Sequence, residues 1–232
     1  MFKYKDDYDA FKTLVFVQLI FIVSMLVGKE IFRSAGYTLQ DVFPKCFYLL
    51  VSALYGFSLF NITQFTAPIK TIKNAIGGLI IFIFIATFLI ENPFFPIQSY
   101  PHQMLAMIHV LLLILEMSVL VIAIKDLLSP NKTLNTKLWA SLGTYFTILI
   151  SWGGFYDLLS LLIPGCLGNA HHYGLENYAE CISYSFGVVS KDDNIMNPIP
   201  LIKQLSKVQT MWCSMFMIFL FSQFKTNVKK EE

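Results

Sequence analysis

The chain has 232 residues, of which 56% are hydrophobic, 16% aromatic and only 14% charged, with a formal net charge of +2 and a mean hydropathy of +0.61. An ordinary soluble domain carries about 25% charged residues, so this chain lacks the polar surface that water demands. Its Lys and Arg residues are scattered through connections and form no stripe interleaved with aromatics, which argues against a nucleic-acid surface and makes the lipid bilayer the solvent of the fold.

Six apolar segments follow one another, at residues 12–28, 46–65, 75–90, 104–128, 138–163 and 208–224. A bilayer core about 30 Å thick takes roughly 20 apolar residues of helix to cross, and each segment is close to that length. The first follows an acidic, Lys-containing start, residues 2–12, and no small-residue cleavage site comes after it, so it reads as a retained helix and not as a secretory signal. The second carries Asn61 and Gln64, three residues apart, a pair suited to hydrogen bonds between helices worth about 1 kcal/mol. Gly77 and Gly78 in the third permit close helix approach. The connection after it, with Phe94 and Phe95, fits an interfacial aromatic belt.

In the fourth segment Glu116 follows His109 by seven residues, two helical turns, so both can lie on one face. An ionisable group at that depth is expensive and belongs against protein or a watery cavity. Two readings stay open: an ion- or proton-coupled site, or a hydrogen-bonded glutamate that joins helices. The fifth segment carries Trp152-Gly153-Gly154 and then Asp157, which reads either as close packing or as a pore-lining position. Pro68, Pro93, Pro101, Pro130, Pro198 and Pro200 fall in the connections, where proline stops or kinks a helix.

The fold class expected is therefore all-α: a polytopic membrane protein with six transmembrane helices and, between the fifth and sixth, a re-entrant pore-type helix. Orientation follows from the basic residues, which are enriched on the cytoplasmic side of membrane proteins. With the N-terminus inside, that side holds Lys3, Lys5, Lys12, Lys70, Lys73, Lys125, Lys132, Lys137, Lys225, Lys229 and Lys230, eleven in all. The other side holds six: Lys29, Arg33, Lys45, Lys191, Lys203 and Lys207. The split places both termini in the cytoplasm of a plasma (inner) membrane protein.

The stretch 164–207 is longer than a hairpin needs and contains a second apolar-aromatic run, residues 178–189, of about three helical turns. That run is too short to cross a bilayer. It reads either as an external amphipathic helix or as a helix that enters the membrane and turns back, which is possible where the broken backbone is buried in protein or lines water.

The order of pieces here is a helix, then Tyr184-Ser185-Phe186, then Asp192-Asp193-Asn194-Ile195, then Pro198, then Lys203-Gln204-Leu205-Ser206-Lys207 leading into the last helix. This resembles the pore module of tetrameric cation channels of the potassium-channel superfamily, over roughly the last 95 residues. The resemblance implies a non-voltage-sensing four-helix part, residues 1–136, and a two-helix pore-like module, residues 137–232, with the re-entrant segment at 176–197. It also implies a homotetramer. The sequence departs from the family at the filter, where Val188-Val189-Ser190-Lys191-Asp192-Asp193-Asn194 stands in place of a Thr-Val-Gly-Tyr-Gly-like strand. No glycine follows Gly187 there, so inward-stacked carbonyls and potassium selectivity do not carry over. The pore candidates become Ser190, Lys191, Asp192, Asp193 and Asn194, with acidic rings attracting cations. The fourth segment has no arginine, which argues against voltage sensing.

Four cysteines occur, at 46, 166, 181 and 213. Cys166 and Cys181 form a disulfide candidate if the last connection is extracellular. Together with His171 and His172 they contain ligand types for zinc, but their spacing matches no compact zinc motif, and no metal or other cofactor is expected. There is no Gly-rich phosphate loop, no His-Glu-x-x-His and no nucleophile elbow, so the chain is not expected to be an enzyme. The leading expectation is a homotetrameric, weakly selective cation pore. Two others stand beside it: a non-conducting membrane subunit that signals to a cytosolic protein partner, as in bacterial antiphage defence complexes, and a small ion-coupled transporter using Glu116 and His109.

Overall fold

A computed structural model of the chain describes residues 7–38, 41–66, 69–90, 102–129, 132–168, 174–191 and 196–231. They form seven helices: α1 (Asp7–Ser34), α2 (Val42–Thr66), α3 (Lys70–Ile90), α4 (His102–Leu127), α5 (Leu134–Leu162), α6 (Leu175–Ser190) and α7 (Pro200–Glu231). Among the described residues five helices, α1 to α5, are long and apolar enough to cross a membrane. The protein is therefore a helical bundle with the composition of a membrane protein.

The sixth expected span, α7, is not among these five. Its apolar stretch is interrupted by Gln209, Thr210 and Ser214 and preceded by Lys203, Gln204 and Lys207, so it falls outside the group of long apolar helices. Gln209 is fully buried, and the polar residue that breaks the apolar run is thus held by protein.

α5 is the axis of the bundle and packs on α1, α4, α6 and α7. Its sequence explains why. Lys137, Ser141, Thr144, Thr147, Ser151, Asp157 and Ser160 are all buried, and with Gly154 they recur at steps of three or four along the whole helix. Residues so spaced share one helical face, and a polar face is accommodated only when other helices cover it. Three of the hydroxyls satisfy themselves on the preceding turn, Ser141 donating to the Lys137 carbonyl (2.6 Å), Thr144 to Ala140 (2.7 Å) and Thr147 to Gly143 (2.9 Å).

α3 is the opposite case. It packs on α2 and α4, and only 17% of its apolar window is buried, against 61% in α5, so it forms the outer wall.

α6 has 16 residues, about 24 Å at the helical rise, short of the bilayer core. It runs antiparallel to α5: Asn177 reaches Asp157 and Ser160, while two turns later Ser185 donates to the Leu149 carbonyl (2.8 Å). The chain then returns to the end of α5 it left, where the Ile199 amide donates to the Cys166 carbonyl (2.9 Å). Gly168, at φ +85°, lies against the Asn197 backbone, an approach that leaves no room for a side chain. From there α7 descends along α5 and α6, tied by Gln209, which accepts from the Tyr156 hydroxyl (2.8 Å) and donates to the Ser185 carbonyl and hydroxyl (2.9 and 2.8 Å).

Candidate functional site

The polar groups of the bundle meet in three levels along the buried face of α5, spanning about 15 Å between Thr147 and Asp157 at the helical rise. The first level, toward the C-terminal end of α5, centres on Asp157, 2% exposed. Its Oδ2 lies 2.9 Å from His109 Nδ1 on α4, and its Oδ1 accepts from the Asn177 amide on α6. The same amide donates to Ser160 Oγ, and the Cys181 thiol approaches Asp157 Oδ1 at 3.9 Å. The His109 ring also lies against Tyr178, with centroids 5.8 Å apart.

The middle level holds Glu116, fully buried. Seven residues separate it from His109, about 10 Å along α4. Oε1 accepts from the Tyr55 hydroxyl of α2 at 3.3 Å. Oε2 and the neighbouring Ser151 hydroxyl are both buried and, among the described residues, neither completes a hydrogen bond of normal geometry. The third level is Gln18 of α1, fully buried, whose amide donates to Thr147 Oγ1 (2.8 Å) and the Gly143 carbonyl (3.1 Å) while its own carbonyl oxygen has no partner among the described residues.

Beyond the Asp157 level Lys29 of α1 bridges Glu176 (2.7 Å) and Glu180 (3.2 Å) of α6, which fixes the first turns of α6 over that level. Exposed ion pairs of this kind contribute little, on the order of 1 kcal/mol or less. The bridge therefore acts mainly on position.

The three intramembrane candidates of the sequence come together here in an unforeseen pairing. His109 and Glu116 do face the same interior, but His109 pairs with Asp157, and Glu116 answers to Tyr55. Sequence reasoning missed Gln18, Tyr55, Asn177 and Tyr178. A signal existed for Gln18, a lone amide inside the first apolar segment, and for Asn177 at the start of the short run. Tyr55 and Tyr178 had none among so many aromatics.

The pore candidates are placed less centrally. Ser190 and Lys191 are exposed at the end of α6, where Ser190 donates to the Gly187 carbonyl (3.1 Å) and Lys191 ends the helix in the left-handed region (φ 61°). Asp192, Asp193 and Asn194 lie outside the described residues, as do His171, His172, Phe94 and Phe95. Asn61 does not act as the expected glue, since its side-chain amide nitrogen is buried without a partner among the described residues.

Cys166 and Cys181 are free thiols buried in one small cluster with Tyr156, Leu167 and Ile202, so the expected juxtaposition is present and the bond is not. Burial pushes the Cys166 thiol above its ordinary range and keeps it protonated. Among the described residues no three His, Cys, Asp or Glu side chains gather as a metal site. Neither protein-family models, curated proteins nor solved structures show a match to this chain.

Proposed function

We propose that the chain is a small multi-pass carrier that takes up and releases an ion, in the first instance the proton, at Glu116 and the His109–Asp157 pair. The observation that carries this reading is the Glu116 carboxyl: fully buried halfway along an apolar helix, with one oxygen held by Tyr55 and the other unpartnered beside Ser151. A carboxylate left so in a bilayer is costly, whereas a carboxyl that gains and loses a proton uses that open oxygen. The His109–Asp157 pair offers a second exchange position nearer the outer end. The hydroxyl face of α5 lines the way between the levels.

The reading includes the orientation argued from the basic residues, with both termini cytoplasmic. α7 supports a sixth crossing by its course, since it has 32 residues and runs antiparallel to α5, bringing Phe216 onto Tyr145.

Purified protein in proteoliposomes containing a pH-sensitive dye tests the proposal. Under an imposed potential the wild type should move protons, Glu116→Gln should lose the flux, and Asp157→Asn should slow it. Proton movement at the wild-type rate in Glu116→Gln would overturn the assignment, as would a wild type that moves no protons under either a pH gradient or a potential.

A second reading, the homotetrameric cation pore, is favoured by one feature: α6 descends along α5 and the chain returns to the end it left, the course of a pore-type segment. Cation flux that ignores Glu116→Gln, from particles of fourfold symmetry, would select it.

A further inference from the structure

A cavity of about 550 Å³ lies between α2, α3 and α4, roofed by Gly174 and Leu175 at the start of α6. Its lining on α4 runs from Leu105 to Leu115 and on α3 from Gly77 to Thr87, about 15 Å in each case at the helical rise. The space is thus elongated along the helices and covers about half the thickness of a bilayer core. One wall is α3, the least buried of the five long apolar helices, so the cavity borders acyl chains and not water.

The chemistry of the lining is uneven. Among the described residues no Lys, Arg, Asp or Glu lines it, and most of the wall is Leu, Ile and Phe. The polar side chains of the lining are Ser52 on α2, Thr87 on α3, and Tyr55, His109 and Tyr178 toward the bundle interior. Tyr55 gives its hydroxyl to Glu116 and His109 turns Nδ1 to Asp157. The Tyr178 hydroxyl makes no hydrogen bond among the described residues and, at the end of the lining nearest the buried polar groups, is a donor open to an occupant. A pocket of this size, largely apolar with a few convergent polar groups, is the usual form of a small-molecule site.

We propose that this cavity binds a neutral, single-chain lipid-like molecule drawn from the bilayer, whose terminal hydroxyl or carbonyl oxygen accepts a hydrogen bond from Tyr178. The occupant is neutral because the wall offers no Lys or Arg for a phosphate or carboxylate, its one histidine is engaged by Asp157, and Glu116 and Asp157 stand behind the polar end. It carries one chain because the space is narrow and long. The site shares Tyr55 and His109 with the polar levels, but binding of the chain does not require proton exchange at Glu116.

The probe is a long-chain alcohol bearing a diazirine and an alkyne, used with the full chain in dioleoylphosphatidylcholine vesicles. Photolysis followed by peptide mapping should place the label on the cavity faces of α2, α3 and α4. Unlabelled hexadecanol should compete, and hexadecane or palmitate should compete less. Ala53→Phe, which fills the space from α2, should lower labelling about tenfold. Tyr178→Phe should reduce the advantage of the alcohol over the alkane about threefold, the worth of one intramembrane hydrogen bond. If Ala53→Phe does not fold, Thr87→Leu from the opposite wall is read instead. Label spread evenly over the outward faces of α1 and α7 (an annular lipid only), palmitate competing as well as the alcohol, or labelling untouched by the filling variants would each overturn the proposal.

Discussion

The His109–Asp157 contact can be measured as a coupling energy. At 2.9 Å and an effective dielectric of about 20, the pair with His109 protonated attracts by about 6 kcal/mol. Desolvating both groups offsets most of this, so the net coupling should be about 2 kcal/mol. Asp157→Asn keeps the shape but replaces one acceptor with a donor. The new amide cannot accept from His109 and Asn177 together, and one of them then faces another N–H. His109→Gln keeps length and loses the charge. Each single change should cost about 3 kcal/mol and the double about 4, because the second removes a group already unpaired. Unfolding in mixed detergent micelles with rising dodecyl sulfate, followed by far-UV circular dichroism, gives the four free energies. Costs that add within about 0.5 kcal/mol would refute the pair as an energetic unit and leave Asp157 as a ligand of Asn177 alone.

Adjacent glycines on α5 should behave differently. A Cβ at Gly153 would lie 2.4 Å from Ile182 Cδ1 and 3.0 Å from Ile182 Cα on α6, so Gly153→Ala must push two backbones apart and should cost about 1–3 kcal/mol. A Cβ at Gly154 meets nothing nearer than 3.7 Å, and Gly154→Ala should melt within a few degrees of the wild type. Gln209→Leu removes three hydrogen bonds that tie α7 to α5 and α6, and at roughly 0.6 kcal/mol for each the loss should approach 2 kcal/mol. Faster proteolysis within α7, with the rest of the chain still protected, is the expected readout.

What could be read in the sequence divides by physics. The long apolar segments at 12–28, 46–65, 75–90, 104–128 and 138–163 each become a helix, because hydropathy over some 20 residues integrates many small terms of one sign. Gln209 shows where that method stops: whether a polar residue inside an apolar run ends a span or is buried by a neighbour depends on tertiary packing. The site was legible as a set of costly residues, Glu116, His109 and Asp157, and illegible as pairs. Partner choice depends on helix rotation, and a quarter turn of α4 would have exchanged the neighbours of His109. Asn177 escaped because its role exists only once α6 lies antiparallel to α5.

The radial order of the helices follows from the bilayer as solvent. In water the most apolar helix goes to the centre; here α3, with Thr87 as its sole polar residue after Asn74, is outermost, while α5, with its full-length hydroxyl stripe, is the most enclosed of the five long apolar helices. The enclosing helices supply partners in proportion to what the stripe requires. α1 brings Gln18 to Thr147, α4 brings His109 to Asp157, α6 brings Asn177 and Ser185, and α7 brings Gln209 to Tyr156. Among the described residues open valences remain at Gln18 Oε1 and, on both sides of the contact, at the Glu116–Ser151 level. If the stripe served packing alone, that level would be the easiest to close, since a glutamine at 116 could donate to Ser151 and still accept from Tyr55. Glu116→Gln should therefore be at least as stable as the wild type in the same dodecyl sulfate titration, and a protein that gains stability while it loses proton flux would separate the function of Glu116 from its structural role.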